Sequence, residues 1–226
     1  MNTAHFIMPP RKRFPWNGFT LVELLVTVAI LGILASLLLA SLKNVREAGK
    51  LVGCANNLRN IGIALQSYAA DNNAFFPTAG DVAGTLGTNR YWVDLSQRYL
   101  NTFWTSHPYY RGTVFDCPAD KLRGVSGGNP LTSFLYVCVF YSNYNYTCAI
   151  NSAQISAPGN IGIVTDGWGS YCMPYQVVAD AEGGTDDYKR LRPRHMGKVN
   201  ILYCDGHVQC KEAKPGDNLR SLFEVP

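Results

Sequence analysis

The sequence predicts an α+β protein: a long N-terminal helix, membrane-spanning in its first half, packed on a small antiparallel β-sheet. Three observations carry this expectation. Residues 19–42 form an apolar run whose only charge is Glu23. From Leu51 to Ala69 apolar residues recur at three- and four-residue steps, the stripe of an amphipathic helix. Beyond Pro77 the chain is rich in Gly, Pro, Asn and aromatic residues, the composition of short strands and ordered loops.

The first element is the apolar run, FTLVELLVTVAILGILASLLLASL. Uncharged from Leu24 to Leu42, it spans a hydrocarbon core of about 30 Å at about 1.5 Å per helical residue. An ordinary secretory signal peptide, with an apolar region of about 7–15 residues, is too short to match it. Arg11, Lys12 and Arg13 precede the run without an acid among residues 1–18, and such short positive flanks stay cytoplasmic. Glu23 demands an account, because an ionisable group in a membrane helix costs about 2.5–3.5 kcal/mol on insertion scales. A cut after Gly18 would create an α-ammonium at Phe19, four residues from Glu23. That acid could then neutralise its own or a neighbour's N-terminus and set the register between packed helices.

The helix continues as an amphipathic segment over 43–71. Leu51, Cys54, Ala55, Leu58, Ile61, Gly62, Leu65, Tyr68 and Ala69 line one face, and Lys43, Arg46, Glu47, Lys50, Asn57, Arg59 and Gln66 fill the others. Asp71-Asn72-Asn73 and Pro77 end it. Residues 72–226 form the extracytoplasmic α+β domain. Strands are expected within Leu131–Tyr146, over Ile161–Thr165 with Asp166-Gly167 as its closing turn, and over Lys198–Cys204 and His207–Lys211. The last two flank Asp205-Gly206, a hairpin signal because both residues tolerate positive φ.

Composition narrows the function. Of 226 residues, 47% are hydrophobic and 16% charged, and the formal net charge is +4. Three of the 20 basic residues lie before Gly18, leaving 17 against 16 acids, so the remainder is close to neutral. Nucleic-acid binding, which needs clustered Lys and Arg, is not expected. Gly124-Val-Ser-Gly-Gly128 has G-x-S-x-G spacing but reads as an ordinary loop; no H-E-x-x-H, P-loop or dinucleotide fingerprint is present, and no catalytic residue is assigned. Trp92, Trp104, Tyr109, Tyr110 and Trp168 read equally as core or as a glycan-stacking surface.

Seven cysteines (Cys54, Cys117, Cys138, Cys148, Cys172, Cys204 and Cys210) suggest disulfides beyond a membrane, with connectivity open. Cys54 on the helix and Cys117 before Pro118 are the preferred pair. Cys204, His207 and Cys210 spell C-x-x-H-x-x-C, but residues three apart on a strand face opposite ways, which argues against zinc. His195, Asp205 and Asp166 could cluster where strands end. The plainer reading has His195 fixing a loop to the hairpin and Asp205 serving its turn. Asp180, Glu182, Asp186 and Asp187 offer oxygen ligands for calcium, yet their spacing matches no EF-hand loop and a solvated acidic turn is commoner. No cofactor and no metal is assigned, calcium being the alternative.

Arg13-Phe-Pro-Trp-Asn-Gly18 followed by Phe19-Thr-Leu-Val-Glu23-Leu24 resembles the prepilin peptidase site of type IV pilins and type II secretion pseudopilins. The resemblance implies a pilin-like fold, cleavage between Gly18 and Phe19, removal of the basic leader 1–18, N-methylation of Phe19, and a role for Glu23 in assembly. Cys54-Ala-Asn-Asn-Leu-Arg-Asn-Ile-Gly-Ile-Ala-Leu65, Cys117-Pro118 and His195 followed after nine residues by Asp205-Gly206 resemble a large bacterial pilin-like family with a processing-associated H-X9-DG pattern. Some pseudopilins hold calcium in a C-terminal loop, which bears on the acidic loop above. The resemblance implies a non-enzymatic filament subunit, single-pass in the bacterial inner membrane, its N-terminus cytoplasmic and its C-terminal domain periplasmic or extracellular. Its implied partners are the prepilin peptidase, other pilin-like subunits, an inner-membrane assembly platform with its ATPase, and the lipid bilayer. A surface pilin or adhesin is the first alternative, and a membrane-tethered extracytoplasmic ligand-binding domain the second.

Overall fold

The computed structural model describes residues 18–78, 92–100, 112–120, 134–137, 151–167, 171–172 and 191–223, with the backbone alone at 40, 41, 135, 171 and 172. It divides into two compact units, residues 1–43 and 44–226. The first contains the start of helix α1, which runs over Leu21–Asp71. Every described side chain from Leu21 to Leu39 is exposed. The hydroxyls of Thr27 and Ser36 donate to the carbonyls of Leu24 and Ile33 at 2.9 and 2.7 Å, so the helix satisfies its own polar side chains. It is long and apolar enough to cross a membrane.

The second unit takes up α1 at Asn44. Cys54, Leu58, Ile61, Gly62, Leu65 and Ala69 are buried and Leu51, Ala55 and Tyr68 half-buried, the stripe that the spacing predicts. The helix ends where Asn73 and Ala74 take φ of 51° and 66°, and the Ala74 N–H closes the last turn on the Ala69 carbonyl at 2.9 Å.

A short helix, α2 (Trp92–Ser96), precedes five strands: β1 (Phe134–Val137), β2 (Gly162–Asp166), β3 (Tyr171–Cys172), β4 (Lys198–Tyr203) and β5 (Val208–Glu212). They form one sheet in the order β3-β1-β2-β4-β5. Four strands pair antiparallel, as the sequence predicts, and the two-residue β3 adds a parallel pairing to β1. The α1 stripe covers one face, with Phe134, Tyr136, Ile163, Val164 and Leu202 beneath it. The other face buries Val137, Val199, Ile201 and Tyr203 against Leu191, Ala213 and Phe223. Gly62 brings helix and sheet close, since a Cβ there would stand 2.8 Å from Leu202 Cδ1.

Two local expectations are corrected. Asp166 ends β2, paired with Phe134 of β1, instead of turning away from it, and a register shift between Gly162 and Val164 inserts a residue before it. That bulge sends Ile163 and Val164 to the same core, and the resumed alternation aims Asp166 at the helix face. The β4–β5 turn, in turn, uses one positive φ, not two. Gly206 (φ 93°) follows a turn closed by the Gly206 N–H on the Tyr203 carbonyl at 2.9 Å, giving a three-residue loop.

Candidate functional site

At the N-terminal end of α1, Thr20 precedes the first helical turn, and Glu23 stands in it. The Thr20 N–H and hydroxyl donate to Glu23 Oε2 at 2.9 and 2.8 Å, while the Glu23 N–H donates to Thr20 Oγ1 at 3.2 Å. This reciprocal pair is a capping box; it satisfies two backbone donors that the first turn would otherwise leave open. The T-x-x-E spacing was the available signal, and attention to the acid's charge passes over it. Phe19 is exposed, and Gly18 has open space around it.

A second constellation lies inside the 44–226 unit. Cys54 comes from the buried stripe of α1, Cys117 from the loop before Pro118, Asp166 from the end of β2, and His195 from the turn that leads into β4. All four side chains are buried. One ligand atom from each lies within 4.8 Å of the others. The Cys54 thiol donates to Asp166 Oδ1 at 3.0 Å, and Cys117 Sγ lies 3.3 Å from His195 Nε2. His195 Nε2 stands 3.7 Å from Asp166 Oδ2, which also accepts the Asn200 N–H at 2.7 Å.

The local backbone places these groups. His195 is held by its N–H to the Lys198 carbonyl at 3.3 Å across a turn with φ of 54° at Met196 and 78° at Gly197. A methionine at positive φ is strained, of order 1–3 kcal/mol, and here the strain sits beside a buried histidine. Arg194 donates to the Gly167 carbonyl at 2.9 Å and pairs with Asp120 at 3.0 Å, joining the Cys117 loop to the His195 turn.

The electrostatics are lopsided. Burial pushes the Cys54 thiol far up, and the nearby Cys117 and Asp166 push it further. Cys117 falls to about 6, because hydrogen bonds from Cys54 and then from His195 favour its thiolate against burial. Burial raises Asp166, outweighing His195, the Asn200 N–H and the Cys54 thiol. For His195 burial disfavours the cation, but the Cys117 hydrogen bond and the Asp166 charge outweigh it and raise its pKa. Two sulfurs, a carboxylate and an imidazole thus crowd one buried space. The Cys117 sulfur is buried among these groups.

The structure brings Cys54 and Cys117 together as free thiols. It joins His195 to Asp166 but not to Asp205, whose carboxylate accepts the His207 N–H at 3.0 Å and contacts His207 Nδ1 at 2.6 Å in the hairpin turn. Asp205 and Gly206 therefore lie in the hairpin turn, with the Asp205 carboxylate bonded inside it. Cys204 is buried with its thiol pushed up to about 12 by burial and by Asp205, whereas Cys210 is exposed. Trp92 is core, stacked on Tyr136 at 5.4 Å and edge-on to Phe115 at 5.4 Å. Residues 1–17, the loop 124–128, the acids Asp180, Glu182, Asp186 and Asp187, the aromatics Trp104, Tyr109, Tyr110 and Trp168, and Cys138 and Cys148 lie outside the described residues.

Comparison with known proteins addresses the helix more than the buried cluster. A family model described as a prokaryotic N-terminal methylation motif matches residues 17–39. A second, described as a protein of unknown function (DUF1559), matches residues 43–110. Type II secretion system core protein G of Pseudomonas aeruginosa is 37% identical over 64 residues, 28% of this chain and 45% of that protein. Its counterpart from Pectobacterium carotovorum is 36% identical over 59 residues, 26% of this chain and 38% of that one. The chain thus spans less than half the length of these relatives. No solved structure matches it. Residues 17–39 thus match a prokaryotic N-terminal methylation motif, and a stretch of about a quarter of the chain is similar to type II secretion system core protein G.

Proposed function

We propose that this chain is a non-enzymatic, prepilin-type subunit of a type II secretion pseudopilus or a related type IV filament. The observation that carries the reading is the start of α1. An exposed apolar helix opens on a capping box formed by Thr20 and the single acid Glu23, inside a methylation motif. The helix anchors the precursor in the inner membrane, with the basic residues 11–13 on the cytoplasmic side and residues 44–226 outside. A prepilin peptidase cuts between Gly18 and Phe19 and the new amine is methylated. Subunits then bundle their apolar helices as an ATPase-driven platform draws them from the bilayer. Glu23 keeps register by meeting the N-terminal amine of its own or a neighbouring chain.

Mass spectrometry of the mature protein tests this. A chain that begins at methylated Phe19 is the expected result. An intact Met1, or a cut near Ser41, would overturn the proposal.

A further inference from the structure

We propose that Cys54, Cys117, Asp166 and His195 bind a single zinc-type divalent cation, a structural site that ties α1 to the sheet and to two loops. The geometry points to it first. In a tetrahedral site with Zn–S of about 2.3 Å and Zn–N of about 2.0–2.1 Å, neighbouring ligand atoms stand roughly 3.3–3.8 Å apart. The contacts here are 3.0, 3.3 and 3.7 Å, and the whole set falls within 4.8 Å. Closing the widest separation by about 1 Å would seat the ion.

The donor chemistry selects the metal. Two sulfurs, an imidazole and a carboxylate suit a borderline-soft ion; calcium and magnesium take oxygen. The Cys54 thiol has one proton for two neighbouring acceptors, Asp166 Oδ1 and Cys117 Sγ. His195 turns Nε2 to the cluster, while Nδ1 is enclosed without a hydrogen-bond partner among the described residues. The ring's polar contact therefore goes to the cluster. On binding, the two thiols release their protons to solvent, and the cation offsets the charge of the two thiolates and the carboxylate.

The rival chemistry is a Cys54–Cys117 disulfide. It would oxidise both thiols, remove the donor to Asp166, and leave a buried carboxylate and imidazole against an apolar S–S bond. An ion uses all four groups. With every ligand buried and protein-derived, the site is of the closed, structural kind. This inference does not depend on the chain's role in a filament.

The test uses the full chain in detergent, purified from zinc-supplied cells with reductant present. Elemental analysis should find one zinc per chain. Cobalt substitution should give intense visible d–d bands of a tetrahedral site and a thiolate-to-cobalt charge-transfer band. Cys54→Ser, Cys117→Ser and His195→Gln should each lower zinc occupancy to about a tenth or less, whereas Cys210→Ser retains it. Wild-type stoichiometry and the cobalt spectrum decide the matter even where a variant fails to fold. A folded, fully reduced wild-type chain without zinc and without cobalt bands overturns the proposal. So does a Cys54–Cys117 disulfide recovered from metal-free protein of the native cell envelope.

Discussion

Thr20 and Glu23 exchange hydrogen bonds across the first turn of α1, the threonine hydroxyl and N–H donating to the carboxylate and the acid's own N–H returning to the hydroxyl. Glu23 therefore has a local structural task besides any charge it offers to an N-terminal amine. The two tasks are separable, because glutamine completes a capping box as glutamate does but carries no charge.

Glu23→Gln should preserve the helix start and leader removal yet block filament assembly. Glu23→Ala should block assembly and also fray the first turn by about 1 kcal/mol. Filament yield by sedimentation, set beside N-terminal mass and helicity, reads these effects separately. Wild-type assembly of Glu23→Gln would show that capping alone is required and end the register argument.

Two glycines test different physics in one fold. At Gly62 the backbone is ordinary but an added Cβ would meet Leu202 Cδ1 at 2.8 Å. Gly62→Ala should cost about 1–3 kcal/mol by overpacking. At Gly206 nothing lies within 4 Å of the added carbon, but φ is 93°. Gly206→Ala should cost about 1 kcal/mol through backbone strain. A Leu202→Ala background should relieve the first loss and leave the second unchanged, as thermal denaturation of single and double variants would reveal.

Native-state alkylation should separate the described cysteines. Cys210 is exposed and should label first, with a rate that still climbs in mildly alkaline buffer because burial lifts its thiol above the ordinary range. Cys204, raised to about 12, should label only on unfolding, as should Cys54 and Cys117. Peptide mapping after timed iodoacetamide exposure gives the order. Labelling of Cys204 ahead of Cys210 would contradict the hairpin's orientation.

Much of the fold was legible because its signals are local. The α1 stripe, the helix stop after Asp71 and the β4–β5 hairpin each follow from spacing within a few turns or residues. The capping role of Thr20 is legible in T-x-x-E, a spacing that holds whatever the charge of Glu23 does. The β2 bulge was not legible: one inserted residue leaves the composition of Ile161–Thr165 unchanged while reversing which face Asp166 takes. Nor did the H-X9-DG spacing reveal that His195 turns to Asp166 while Asp205 bonds within its own turn. The buried cluster joins residues 112 and 78 positions apart, and no periodicity or motif length encodes such meetings.

Those long separations govern how the 44–226 unit is completed. The amphipathic part of α1 is synthesised well before β4, whose Leu202 shares a core with Leu58, Ile61 and Leu65. Until then its greasy side is a sticky surface, and contacts of such high order form slowly. The core is therefore completed only when β4 meets a helix laid down far earlier, and a nascent chain paused between the two carries an unshielded apolar stripe.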